Sequence, residues 1–169
     1  MQTILFGRKY SQVMKKGVKM KKAIFAALSI LFIATPIVAA EGVVNVLSVF
    51  NVEETADRME KILNEKGMTI FKRIKHSEGA GKVGINLRDT ELIIFGNPKV
   101  GSPLMNCQQS VAIDLPQKAL IWEDDKFNVW ISYNDPEYLK KRHNISGCEE
   151  VILKIEKALA GIAESASTK

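Results

Sequence analysis

From residue 42 onward, apolar and polar positions fall into blocks with two different periods. GVVNVLSVF at 42–50 is β-branched and apolar, which predicts a strand. Behind Asn51, the residues Val52, Ala56, Met59, Ile62 and Leu63 recur at helical spacing. Asn51 suits the N-cap, Glu54 is placed to complete a capping box, and Gly67 ends the helix. MTIFKRIKH at 68–76 and ELIIFG at 91–96 read as the second and third strands. Asn97-Pro98 opens a helix, with Ser102-Pro103 as a second start five residues on. KALIWED at 118–124 and VWISY at 129–133 make a hairpin about a short polar turn, and Asn134-Asp135-Pro136 begins a helical turn. Ser146, with Glu149 as box partner, caps a last helix whose stripe is Val151, Ile152, Ile155, Ala158, Leu159 and Ile162. Cys148 falls on that stripe and is expected to face inward. Strands clustered between two long helices predict an α+β fold in β-α-β(4)-α order, an antiparallel sheet with both long helices packed on one face. The expected domain is single and runs from 41 to 164, with 165–169 as a frayed tail.

The first 40 residues follow another logic. Lys21-Lys22 precede the apolar run from Ala23 to Ala34, and Val38-Ala39-Ala40 closes the segment with small residues. A charged, an apolar and a small-x-small region together predict a secretory signal peptide cut after Ala40, hence a periplasmic or secreted protein. The run is shorter than the roughly 20 residues a membrane span needs, so no stable span is expected after cleavage. Met20 opens a far more ordinary leader than Met1. Lys16-Gly17-Val18 back-translates to a ribosome-binding sequence just upstream, so we expect translation to begin at Met20, with 1–19 a mis-assigned extension. The leader also distorts the charge. The chain holds 24 Lys and Arg against 19 Asp and Glu; seven of the bases and none of the acids lie in 1–40, leaving 17 against 19, a net −2. A basic nucleic-acid binder is thereby excluded, and the even spread of apolar residues excludes disorder.

Cys107 and Cys148 are the two cysteines, and export permits them to pair as a disulfide. Buried free thiols are the other use of such residues. CxxC, CxxCH, HExxH and GxSxG are all missing from the sequence. Gly79-Ala80-Gly81-Lys82-Val83-Gly84 matches G-x-G-x-x-G, yet too few residues follow for the helix that would receive a pyrophosphate, so it reads as a flexible loop. His76 shares strand parity with Ile70 and Ile74 and should border the core side. With Met105, Cys107, Cys148 and His143 it supplies enough soft ligands for copper or haem iron, although no spacing demands it. The polar run from Asn134 to His143, with Asp114 and Lys118, holds groups able to do acid–base work, or merely to cap and pair. Asn144-Ile145-Ser146 is a glycosylation sequon without meaning behind a bacterial leader.

Phe95-Gly96-Asn97-Pro98-Lys99, Gly101, Leu104-Met105, Ile113-Asp114-Leu115-Pro116, Trp122-Glu123-Asp124, Tyr133-Asn134 and Arg142-His143 follow one another in a succession that resembles the family called domain of unknown function 302. The resemblance covers nearly all of 42–163. Asn128 stands at the hairpin turn where a glycine is usual, Asn tolerating the same left-handed backbone, and Gln117 stands where leucine is frequent. The resemblance implies a TATA-binding-protein-like α+β fold and a homodimer; it brings no agreed activity, and it leaves any cofactor unknown. Fold does not carry nucleic-acid binding with it. The leading expectation is therefore an exported domain that binds a small ligand or periplasmic partner without catalysis, through Asn97, Asp114, Tyr133, Asn134, Arg142 and His143. The alternatives are a redox or metal-handling protein, with His76 and Cys107 as ligands, and a small hydrolase or isomerase using Asp114, Tyr133 and His143. Segments 97–105, 114–116 and 133–143, each with a Pro-fixed turn and polar side chains, are expected to converge on one partly concave face.

Overall fold

The structure is a computed structural model that describes residues 40–169; the leader and the Met20 start lie outside the described residues. Five strands, β1 (Val43–Ser48), β2 (Thr69–Lys75), β3 (Thr90–Gly96), β4 (Gln117–Glu123) and β5 (Val129–Asn134), form one sheet in the order β1-β5-β4-β3-β2. Every neighbouring pair is antiparallel. Five helices accompany them: α1 (Val52–Glu65), α2 (His76–Gly81), α3 (Pro98–Cys107), α4 (Pro136–His143) and α5 (Glu149–Ser167). A 3-10 turn, Gln109–Ile113, joins α3 to β4.

Strand alternation sets the core. Ile93, Phe95, Ala119, Ile121 and Ile131 are buried on one sheet face, beneath Ala56, Met59 and Leu63 of α1 and Ile152, Leu159 and Ile162 of α5. Each such side chain larger than alanine contributes roughly 1.5–3 kcal/mol by leaving water. Asn51 caps α1 by accepting from the Glu54 N–H at 2.8 Å. The α+β order and the packing of α1 and α5 on the sheet follow the expectation. Among the described residues no helix is long and apolar enough to cross a membrane.

Four local expectations are corrected. A bulge between Ile70 and Lys72 reverses the parity of β2, so that Arg73, not Ile74, stands on the side of Ile93. His76 therefore does not border the core; it is exposed at the head of α2. Arg73 spans Asp57 and Glu60 of α1 and Glu91 of β3. Burial alone would lower its pKa, but the three carboxylates outweigh that and raise it. The glycine-rich segment is not all loop, since Gly79 and Gly81 lie in the short α2. At the hairpin the residue with positive φ is Phe127, at 62°, while Asn128 donates to Asp124 instead.

The ends of α5 also differ. Cys148, without a side-chain cap bond, occupies the N-cap position assigned to Ser146. The tail is tied rather than frayed. α5 runs on to Ser167, Ala166 and Ser167 are buried, and Arg58 of α1 donates to the carbonyls of Ser165, Ala166 and Thr168.

Candidate functional site

The chain between β3 and β4 builds the most distinctive region of the molecule. Asn97 follows β3 and caps α3, its Oδ1 accepting from the Lys99 N–H at 2.9 Å and its Nδ2 donating to the Gly67 carbonyl at 3.3 Å. Pro98 supplies the fixed φ of a first helical turn. The second possible start, Pro103, lies inside the helix. The 3-10 turn, Asp114 and a cis Leu115-Pro116 bond then lead into β4.

Under this connection lies a cavity of about 300 Å³. Val100, Gly101 and Met105 of α3 form one wall, Ile155, Ala158, Leu159 and Ile162 of α5 another, and Phe71, Phe95, Leu115 and Pro116 the base and rim. Asn97 also lines it, and among the described residues Lys154 is its one charged lining residue. Its size sits at the lower end of small-molecule sites. Gln117, the first residue of β4, lines it and is only 8% exposed, yet neither its amide nitrogen nor its amide oxygen has a hydrogen-bond partner. A buried polar atom left so costs about 1–3 kcal/mol.

The structure pairs Cys107 with Cys148 at disulfide distance, their Cα atoms 6.5 Å apart, within the range such bridges use. Cys107 is the last residue of α3 and Cys148 immediately precedes α5, so the pair ties the two cavity walls together. So paired, Cys107 has no thiolate to offer a metal, and His76 is exposed on α2. Among the described residues no group of three or more His, Cys, Asp or Glu is placed to hold a metal ion.

Beside the cavity, the same connection meets the end of α4. His143 Nε2 lies 2.6 Å from Asp114 Oδ2, Arg142 Nη1 donates to Asp114 Oδ1 at 3.2 Å, and Ser110 Oγ lies 3.1 Å from His143 Nδ1. The Asp114 and His143 side chains are 12% and 7% exposed, whereas Arg142 is half exposed. A carboxylate accepts from Nε2–H, which leaves Nδ1 of a neutral imidazole to accept from the Ser110 hydroxyl. Chemically this is a nucleophile, a base and an orienting acid in contact. It is equally a polar tie between the 3-10 turn and α4.

Thus Asp114, Arg142 and His143 do converge, and Asn97, Met105, Leu115 and Pro116 meet at the adjacent cavity. Tyr133 and Asn134 join neither group. Tyr133 lies buried on β5, opposite Val44 and Ala119, and Asn134 pairs with Val43. Burial first, then the nearby Asp135 and Glu156 charges, push the Tyr133 phenol up. The single concave face expected from three segments is therefore two adjoining features made from two segments and part of the third. Ser110 and Gln117 were missed. A serine four residues before Asp114, on one helical turn, was the available signal for the first.

Residues 44–162 match the family model described as domain of unknown function DUF302. A crystal structure of an uncharacterized conserved DUF302 protein from Bacillus stearothermophilus superposes with a TM-score of 0.68 at 21% identity, covering 75% of this chain and 99% of that one. Two proteins named fluoride-specific ion channel FluC 1, from Brucella suis biovar 1 (strain 1330) and Brucella abortus biovar 1 (strain 9-941), are each 42% identical over 113 residues. The match takes in 67% of this chain but only 44% and 42% of theirs, so the chain spans less than half the length of these relatives.

Proposed function

This chain belongs to the DUF302 family, a domain of unknown function, and we propose that it is a binding domain that takes a small, largely apolar molecule into the cavity between α3 and α5. The observation that carries the reading is the cavity itself, with apolar walls drawn from α3, α5 and β3 and one unpartnered amide, Gln117. A ligand burying about 250 Å² of apolar surface there would gain roughly 6 kcal/mol before the costs of association, which fits micromolar or weaker binding. A neutral naphthylamine dye tests it. Its fluorescence should rise to saturation at one dye per chain, and Ala158→Phe, which fills the cavity, should abolish the rise while the protein stays folded. Absence of saturable binding, or equal binding by the filled variant, would defeat the reading. We place this domain outside the cytoplasm on the strength of its leader; N-terminal sequencing of the exported protein, expected to begin at Glu41, checks that.

A second reading rests on the Ser110–His143–Asp114 contact, which is the arrangement of a serine acyl hydrolase. Its test is separate. Ser110 should be labelled by a fluorophosphonate, and p-nitrophenyl butyrate hydrolysis should vanish in Ser110→Ala. The name of the Brucella relatives suggests a domain that accompanies a channel, not one that holds the ion. Fluoride would surrender its hydration to apolar walls here, which is costly. Fluoride sensitivity of a strain lacking this protein decides whether the two processes are linked.

A further inference from the structure

We propose that Gln117 reads the ligand's head group, and that the cavity selects molecules joining an apolar tail to an uncharged carboxamide. The inference rests on the small-molecule reading of the cavity and sharpens it to a chemical class. Gln117 opens β4 opposite Phe95 of β3, and both residues line the cavity. Its amide nitrogen and oxygen lack any protein partner and are out of reach of a water-sized probe as the side chain stands, so a ligand would meet them by turning the Gln117 side chain toward the cavity that the residue lines. Buried side-chain polar groups in folded proteins seldom stay unpaired unless a water, an ion or a ligand completes them. Here a donor and an acceptor are left open on one planar group.

That pair constrains the partner. A carboxylate accepts from the amide nitrogen but leaves the amide oxygen facing a second acceptor. An ammonium group does the reverse. An ester or a ketone offers only acceptors. A carboxamide presents one N–H and one C=O side by side, so it answers both Gln117 atoms through two parallel hydrogen bonds. Charge at this depth is also disfavoured, because burying an ion without a counter-ion costs far more than burying a hydrogen-bonded amide. Lys154, the one charged group lining the cavity, has an exposed position on α5 that suits it to the rim rather than the floor.

The experiment uses the mature chain and matched eight-carbon probes competing with the bound naphthylamine dye. Octanamide should displace the dye at least tenfold more tightly than methyl octanoate, a difference of about 1.4 kcal/mol. Octanoate should be no better than the ester. Gln117→Leu, which removes both amide atoms, should bring the ratio of octanamide to ester affinity from at least about ten down to about one. The melting temperature of Gln117→Leu should equal or exceed the parent's, and Gln117→Met serves in its place if the leucine variant does not fold. Equal affinity for octanamide and methyl octanoate in the parent would overturn the proposal and leave the cavity reading intact; cavity water would then satisfy the amide. Retention of the tenfold preference in Gln117→Leu overturns it in the same way. If the dye binds neither protein, the cavity reading falls and this one falls with it.

Discussion

Reducing the bond between Cys107 and Cys148 should loosen the fold and the cavity together. The bridge closes a loop of 41 residues in sequence separation. In the chain-entropy treatment a loop of that length stabilises by about 4 kcal/mol at 25 °C, a ceiling where the reduced chain keeps residual structure. For a domain of about 130 residues the unfolding entropy is about 270 cal/mol/K, so the melting temperature should fall by about 15 °C. The bridge also joins α3, which carries Val100 and Met105, to α5, which carries Ile155 and Leu159. Reduced protein should therefore bind the apolar dye more weakly even well below its melting temperature. Calorimetric melts with and without dithiothreitol measure the first effect and dye titration the second. A Cys107→Ala, Cys148→Ala double variant, insensitive to reductant, should reproduce both. A melting shift below about 3 °C, or two titratable thiols in denatured, unreduced protein, would refute the reasoning.

Asp114→Ala removes the acceptor of both His143 and Arg142; leaving Nε2 of the nearly buried imidazole unpaired should cost about 1–3 kcal/mol by urea denaturation. Gly42→Ala should destabilise by more than about 1 kcal/mol, because Gly42 has φ +78° and an added Cβ would run into the Tyr138 ring, which thermal melts will show. Burial pushes the Asp124 carboxyl up, but bonds from the Trp130 indole, Asn128 and the Lys126 N–H outweigh that and hold it well below the usual carboxylate range. A carboxyl depressed in the folded state stabilises above its unfolded value, near 4, and loses that contribution as the pH falls below it. Melting temperature should accordingly drop as the pH falls below about 4, and Asp124→Asn should flatten that drop while lowering stability at pH 7.

The periodic elements were legible because burial on one face leaves a period in the sequence. Val52, Ala56, Met59 and Leu63 of α1 and Ile152, Ile155, Leu159 and Ile162 of α5 all reach the core. Parity arguments failed where one residue was added to one strand. The bulge at Phe71 turned His76 outward and Arg73 inward, and nothing in TIFKRIK distinguishes the bulged from the regular strand. The tail was misjudged for a related reason. Ala166 and Ser167 look like a weak helix end, and what ties them lies more than a hundred residues away in sequence: Arg58 donates to the Ala166 carbonyl and the Val49 N–H to that of Ser167.

Polar contacts across the fold were half legible, and cavities not at all. Asp114, Arg142 and His143 stood out as polar residues beside fixed turns, and these are the three that meet. Tyr133 and Asn134 stood out in the same way, but as members of β5 their backbone pairs with β1 and they take no part. A cavity leaves no sequence period, because it is space left where α3, α5 and β3 fail to close on one another. Its walls, Val100, Met105, Ala158 and Phe95, read as ordinary core residues. In the sequence Gln117 shows only as a departure from a frequent leucine. In the structure that departure puts an amide among apolar walls at a site the hydrophobic effect alone would give to leucine. Stability does not explain a residue that raises the cost of its own burial, and the octanamide and methyl octanoate competition decides between a ligand and cavity water as its partner.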